Sequence, residues 1–173
     1  MVMVEKDLEV LEPVGIQRDE LFERVKKVRK KKVQMPHYID HVKVYIDGGC
    51  RGNPGPGAIG VLVLDGDGNE LRRDAECIGD TTNNRAEYHA VIKGLSVCAE
   101  YTRGKVTLYS DSELVVKQMN GRWRLKNNEL RELFVRVRQS AMVFEEVVYT
   151  HVKRTNPYIQ KVDRALNEAL EGR

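Results

Sequence analysis

The fold follows from one segment, Val42-Lys43-Val44-Tyr45-Ile46-Asp47-Gly48-Gly49. Its first five residues alternate between apolar and other side chains, a pattern that predicts a strand, and the chain then breaks into glycines. Residues 58–64 form an almost continuous apolar run, and Asp65-Gly66-Asp67-Gly68-Asn69 predicts a hairpin turn. Because a return strand should follow through about Ile78, we expect three neighbouring antiparallel strands.

The rest of the chain alternates between helical and strand patterns. The elements expected after the third strand are a helix over residues 85–101, a strand at 106–109, a short helix after Ser110-Asp111-Ser112, a helix capped by Asn127 or Asn128, a strand at 147–152 and a helix from Lys161. Strands separated by helices are joined by crossovers, which require parallel pairing. The sequence therefore predicts an α/β fold, with a mixed five-stranded sheet and helices on both faces.

The composition is that of a folded globular protein. Charged residues make up 32% of the chain and hydrophobic residues 41%, which argues against disorder. No run approaches the ~18 apolar residues that span a bilayer, and the N-terminus lacks the apolar stretch of a signal peptide. We therefore expect a cytoplasmic protein with no membrane partner. Three cysteines without a Cys-x-x-Cys pair fit reduced thiols, and the net charge of +3 permits a nucleic-acid partner without requiring one.

Residues 1–40 differ in composition and are expected to form a charged extension before a folded domain at residues 41–173. A basic cluster runs through the extension: Arg24, Lys26, Lys27, Arg29, Lys30, Lys31 and Lys32. Apolar residues at roughly helical spacing predict a helix over residues 18–33. The cluster is consistent with a solvated helical face or a loose tail, with an arm that grips phosphates, or with a surface for packing or self-association.

Four acidic residues fall at the ends of the expected elements. Asp47 ends the first strand, Asp111 ends a later strand, and Glu87 and Asp163 lie near the starts of two helices. Ligand sites in open α/β sheets form beyond the carboxyl ends of the strands. If the two strands are adjacent, the four carboxylates can share one pocket.

Such a cluster of carboxylates normally needs a cation, because the charges repel one another. Oxygen ligands without cysteine or histidine favour magnesium or manganese, and the matching chemistry is phosphodiester hydrolysis with two ions about 3.5–4 Å apart. Taken singly, each acid also fits an ordinary role. Asp47 fits a turn, Asp111 a helix cap, and Glu87 and Asp163 solvated faces.

Five short motifs follow one another along residues 42–170. They are residues 45–57 (Tyr-Ile-Asp-Gly-Gly-Cys-Arg-Gly-Asn-Pro-Gly-Pro-Gly), 82–90 (Thr-Asn-Asn-Arg-Ala-Glu-Tyr-His-Ala), 110–116 (Ser-Asp-Ser-Glu-Leu-Val-Val), 118–123 (Gln-Met-Asn-Gly-Arg-Trp) with Lys126 beyond, and 151–154 (His-Val-Lys-Arg) followed by Val162-Asp163. In this order they resemble the motifs of type 1 ribonucleases H, and the last is similar to the closing motif of the bacterial and archaeal branch. That branch usually places its aspartate at the fourth residue after an asparagine. Here six residues separate Asn156 from Asp163, which indicates an insertion.

The resemblance implies a ribonuclease H-like fold with Asp47, Glu87, Asp111 and Asp163 as the catalytic residues and metal ligands. It also implies that Asn53, Asn83 and Asn84 contact the hybrid in its minor groove, where amides can bond the ribose 2′-hydroxyl. Trp123 and Lys126 would lie beside the DNA strand, through stacking and a phosphate contact. The structural alternatives are helix capping for Asn83 and Asn84 and ordinary partial burial for Trp123.

The function implied by the resemblance is that of an endoribonuclease, which cuts the RNA strand of RNA–DNA hybrids with two Mg2+ or Mn2+ ions and no obligatory protein partner. One alternative is a DNA resolvase-type nuclease, although such relatives space their acids differently. Another is a non-catalytic hybrid- or RNA-binding module, which would have little reason to keep repelling carboxylates together. Many family members carry a histidine before the last aspartate. Residues 153–162 contain none, and neither His89 nor His151 is assigned a catalytic role.

Overall fold

The computed structural model of the protein describes residues 38–172. Its elements are β1 (His41–Cys50), β2 (Gly55–Asp65), β3 (Glu70–Thr81), α1 (Asn83–Cys98), β4 (Lys105–Ser110), α2 (Glu113–Met119), α3 (Asn128–Ala141), β5 (Glu146–His151) and α4 (Pro157–Glu171). The helix predicted over residues 18–33, with its basic cluster, lies outside the described residues. The division of the chain after residue 40 stays a prediction.

The strands form one mixed sheet in the order β3-β2-β1-β4-β5. Strands β1, β2 and β3 pair antiparallel, and the turn predicted at residues 65–69 joins β2 to β3. Strand β4 pairs parallel with β1 on one side and with β5 on the other. The predicted α/β architecture is confirmed, and the strands that carry Asp47 and Asp111 are neighbours.

Side chains alternate along β1 and contact a different helix on each face of the sheet. Val44 and Ile46 belong to the main core, which α1 covers through Val91. Tyr45 points the other way, into a smaller core that α4 covers through Val162. Helices therefore pack on both faces, as the sequence predicted.

The last helix begins one turn earlier than predicted, at Pro157 instead of Lys161. Asn156 is its N-cap, because the Asn156 Oδ1 atom accepts hydrogen bonds from the backbone nitrogens of Tyr158 at 2.9 Å and Ile159 at 3.4 Å. Proline fits the first helical position, where its missing N–H is not needed. The residues between Asn156 and Asp163 are thus helical. No helix within residues 38–172 is long and apolar enough to cross a membrane.

Candidate active site

Two of the predicted acids, Asp47 and Asp111, lie at matching positions relative to two adjacent strands of the sheet. Tyr45 of β1 and Tyr109 of β4 are direct partners in the parallel pairing, and Asp47 and Asp111 each follow two residues later. Residues two apart on a strand face the same way, so Asp47 shares the face of Tyr45, on the side covered by α4. Ser112, and not Asp111, caps α2. The adjacency that the sequence left open is therefore present, and the helix-cap alternative for Asp111 is wrong.

The third acid reaches this point from α1. Glu87 lies at the start of the second turn of the helix, and the backbone of Ala86 and Glu87 packs directly against Gly48. No side chain fits at Gly48 without displacing that backbone. Glycine at the end of β1 therefore allows α1 to bring Glu87 beside Asp47.

The side chains of Asp47, Glu87 and Asp111 form a compact group in which one carboxylate oxygen from each residue lies within 4.8 Å of the others. Asp47 is only 6% exposed. The Oε2 atom of Glu87 is shut off from solvent and has no hydrogen-bond partner in the described part of the chain. A buried, unpaired carboxylate oxygen is costly for folding unless something else satisfies it. Converging oxygen donors of this kind fit a divalent cation that prefers oxygen ligands.

Burial and mutual repulsion perturb the pKa values in this group. Burial raises the pKa of Asp47 to about 6, and the neighbouring charges of Asp111 and Asp163 add to the rise. Burial also raises the pKa of Glu87 well above its usual range, with further contributions from Asp47 and Asp111. The positive charge of Arg154 opposes both shifts. The site thus concentrates negative charge that a bound cation would stabilise.

Asp163 lines the same cavity but stands apart from the group of three. Its Oδ1 atom lies 3.3 Å from Nη2 of Arg154, whose side chain is 77% exposed. Asp163 is close enough to influence the pKa of Asp47. Its role as a fourth metal ligand stays a prediction.

The acids open into a cavity of about 460 Å³. Its wall is formed by the end of β1 and the loop after it, the first turns of α1, and one side of α4. Arg51, Asn83 and Arg154 lie on this wall together with the four acids. A concave site with a few converging polar groups is the usual form of a ligand site in an enzyme.

Asn83 links α1 to the glycine-rich loop after β1. Its Oδ1 atom accepts hydrogen bonds from the backbone nitrogen of Cys50 at 3.0 Å and from the Cys50 thiol at 3.2 Å. The Oδ1 atom of Asn53 accepts from the backbone nitrogen of Asn83 at 3.1 Å. The cap of α1 is Thr82, so the capping alternative for Asn83 and Asn84 is wrong. Two of the three predicted amides, Asn53 and Asn83, therefore meet at one place, with Asn84 exposed beside them.

Trp123 and Lys126 lie on the segment between α2 and α3, outside the cavity wall. Trp123 is 43% exposed, and the Nζ atom of Lys117 lies 4.6 Å from the centre of its ring. Lys126 is exposed. Trp123 is thus exposed rather than part of the core, and contact of either residue with a DNA strand stays a prediction.

Sequence reasoning missed two residues of this site, Arg154 and Cys50. Arg154 lies in the closing motif, but its pairing with Asp163 depends on how α4 folds back toward β1, which residue spacing does not reveal. Cys50 falls inside the first motif, but the resemblance assigns it no role. The available signal was the position of Cys50 directly after Gly48 and Gly49, in a segment that borders the site.

Comparison with known proteins identifies the family. Residues 45–159 match the family described as reverse transcriptase-like. The chain is 38% identical over 139 residues to ribonuclease HI of Halobacterium salinarum, covering 80% of this chain and 69% of that protein. It is also 38% identical over 132 residues to the bifunctional protein Rv2228c of Mycobacterium tuberculosis, covering 75% of this chain and 35% of that longer protein.

Solved structures agree with these sequence matches. The crystal structure of RNase H1 from Halobacterium salinarum aligns with a TM-score of 0.73 at 38% identity, covering 77% of this chain and 99% of that one. LC11-RNase H1 in complex with an RNA/DNA hybrid aligns with a TM-score of 0.67 at 36% identity, covering 75% of this chain and 99% of that one. Fold and acidic site together define a metal-dependent nuclease of the ribonuclease H-like class. The chain belongs to the type 1 ribonuclease H family. The predicted family and enzyme class are confirmed.

Proposed function

We propose that the protein is an endoribonuclease that hydrolyses the RNA strand of RNA–DNA hybrids with the help of two divalent cations. The observation that carries this proposal is the group of Asp47, Glu87 and Asp111, in which a buried oxygen of Glu87 has no partner among the described residues. The relative named ribonuclease HI and the LC11-RNase H1 complex with an RNA/DNA hybrid support the choice of substrate.

The three grouped acids would hold the cations, with Asp163 as a further ligand. Their oxygen donors, without a cysteine or histidine among them, favour Mg2+ or Mn2+. When bound, two such ions supply an activated water and stabilise the charge on the leaving oxygen. The protein itself must keep the carboxylates close together and ionised. Arg154 assists, because its positive charge lowers the pKa of Asp47 and of Glu87 against the effect of burial.

Substrate recognition falls to the amides at the edge of the cavity. The Oδ1 atom of Asn83 is engaged by Cys50, which leaves the Nδ2 group of that amide as the donor for a ligand. We assign Asn53, Asn83 and Asn84 to the minor groove of the hybrid, where the ribose 2′-hydroxyl distinguishes RNA from DNA. Trp123 and Lys126 are assigned to the DNA strand, as a stacking surface and a phosphate contact.

A cytoplasmic location without an obligatory protein or membrane partner is part of the proposal. It is supported by Cys50, Cys77 and Cys98, which are free thiols and form no disulfide in the structure. Free thiols persist in reducing compartments. Fractionation of cells with an antibody to the protein would test the location.

Substrate choice separates the proposed function from its two alternatives. The wild-type protein is incubated with labelled RNA–DNA hybrid, duplex RNA, duplex DNA and branched DNA, each with Mg2+, Mn2+ or a chelator. Metal-dependent loss of the RNA in the hybrid is the expected result. Preferential cutting of either DNA substrate would instead identify a resolvase-type nuclease. Tight hybrid binding with no cleavage in any metal would identify a non-catalytic module.

A further inference from the structure

The residues between Asn156 and Asp163, which the sequence marks as an insertion, are attached to the sheet by an aromatic contact. The ring centres of Tyr158 and Tyr45 lie 4.7 Å apart with the planes tilted by 35°. Tyr45 in turn stacks on Tyr109, with ring centres 4.6 Å apart and planes within 12°. Both distances are in the range in which aromatic pairs stabilise one another beyond simple burial.

This aromatic trio lies close to the carboxylates. Tyr45 and Tyr109 are partners on adjacent strands, and each precedes one of the acids Asp47 and Asp111 by two residues. Residues two apart on a strand share a face, so the ring of Tyr158 rests on the same side of the sheet as Asp47. The first turn of α4 therefore packs against the two strands that carry the acids.

Two apolar residues that follow Tyr158 also pack against the sheet. Ile159 and Val162 are both 0% exposed. A Cβ atom on Gly60 of β2 would lie 2.7 Å from Cγ1 of Val162, so the helix rests directly on the strand there. Asp163 follows Val162 and lines the cavity. Its backbone position is therefore fixed by Val162 directly before it and by the turn that Tyr158 anchors further toward the start of α4.

We propose that Tyr158 is a positioning residue that holds Asp163 at the cavity that would bind the cations. The inference rests on the proposed function, since it concerns how that function's fourth acid is placed. The contact is made by the ring, so phenylalanine at this position retains it. Tyr158 does not line the cavity, so its effect on catalysis would pass through Asp163.

The test measures the rise in melting temperature caused by Mn2+ and the cleavage rate of a hybrid. The variants are Tyr158→Ala, Tyr158→Phe, Asp163→Asn and the double variant Tyr158→Ala/Asp163→Asn. Phe134→Ala is the matched control. Phe134 is also a half-buried aromatic side chain, but it belongs to α3 and packs against the main core. If Tyr158→Ala does not fold, Tyr158→Leu keeps the apolar bulk and removes the ring.

We expect Tyr158→Ala to reduce the Mn2+-induced rise and to lower kcat about tenfold or more, with KM unchanged. Tyr158→Phe should match wild type in both the Mn2+-induced rise and kcat. Phe134→Ala should change only the metal-free melting temperature. In the Asp163→Asn background, Tyr158→Ala produces no further loss, because coupled residues are not additive.

Three results would overturn the inference. One is a loss in the double variant equal to the product of the two single losses, and another is equal behaviour of Tyr158→Ala and Phe134→Ala. The third is a wild type whose melting temperature does not respond to Mn2+. A wild type that binds Mn2+ but cuts no hybrid would refute the proposed function alone, and the melting temperatures would still decide the role of Tyr158.

Discussion

A Cβ atom on Gly48 would lie 2.6 Å from the backbone nitrogen of Glu87. The end of β1 and the start of α1 thus touch backbone to backbone, at the point where Asp47 and Glu87 must meet. The neighbouring Gly49 has open space around it, with no atom within 4 Å of a Cβ built there. Of these two glycines, only Gly48 makes the close approach to α1.

Gly48→Ala should separate the two acids. The added methyl group must displace the first turns of α1, and overpacking of this kind typically costs about 1–3 kcal/mol. We expect a lower melting temperature in thermal denaturation and a weaker Mn2+-induced rise. Gly49→Ala is the control and should melt close to wild type. Equal melting temperatures for the two variants would show that the backbone contact at Gly48 tolerates a side chain.

The metal-free protein should become less stable as the pH rises from about 4 to beyond 6. Burial, with Asp111 and Asp163 nearby, raises the pKa of Asp47 from 3.8 to about 6. A carboxyl group with a raised pKa in the folded state takes up protons on folding, so its stabilising contribution is complete below about pH 4 and is lost as the pH passes 6. Chemical denaturation in chelator at several pH values measures this.

Asp47→Asn should reduce that pH dependence, and the raised pKa of Glu87 should leave part of it in place. At pH 8 the variant lacks a buried charge, and we expect a gain in the free energy of unfolding on the order of 2 kcal/mol. At pH 4 the gain should be small, since the wild-type carboxyl is then largely protonated. Asp67→Asn, in the exposed turn after β2, is the control and should follow wild type at both pH values. A variant less stable than wild type at pH 8 contradicts the electrostatic account.

Mn2+ should bind more tightly as the pH rises from 5 to 7. The cation competes with protons for Asp47 and Glu87, whose pKa values are both raised by burial. Calorimetric titration with Mn2+ at several pH values should show an increasing affinity and proton release on binding. An affinity that is flat across this range would mean that these two acids are not the ligands.

Lys126→Ala should weaken hybrid binding without slowing the chemical step. We expect a higher KM, an unchanged kcat, and a salt dependence of binding reduced by about one unit of slope, because one phosphate contact is lost. Lys105→Ala is a suitable control, since Lys105 begins β4 and pairs with Glu146, at the end of the sheet away from the acids. An unchanged salt dependence for Lys126→Ala would remove this residue from the DNA-binding surface.

The sequence predicts best the features that are set by a residue's position along its own strand. Alternation before Asp47 predicted β1, and the crossovers predicted the parallel pairing that brings Asp111 alongside. The expected end of β1 at the glycines was wrong, because the strand continues through Gly48 and Gly49 to Cys50 and stays paired with β2. The start of α4 was wrong by one turn. Asn156 caps the helix because its side chain accepts hydrogen bonds from the backbone nitrogens of Tyr158 and Ile159, a local contact that apolar periodicity does not predict.

Contacts between distant segments were the least predictable. The bond between Cys50 and Asn83 and the pairing of Arg154 with Asp163 depend on how loops close over the sheet edge. Hydrophobic periodicity contains no information about such contacts. The capping of α1 by Thr82 shows the same limit on a smaller scale, because three consecutive residues of the sequence Thr82-Asn83-Asn84 are all suitable caps.

The central claim is that the grouped acids perform chemistry and are not needed to bind the substrate. Wild type and Asp47→Asn are compared for cleavage of an end-labelled RNA–DNA hybrid in Mg2+ or Mn2+, and for hybrid binding in chelator. The account predicts that Asp47→Asn loses cleavage in both metals and binds the hybrid at least as tightly as wild type, because a repelling charge has been removed. Cleavage at the wild-type rate by Asp47→Asn would contradict the account.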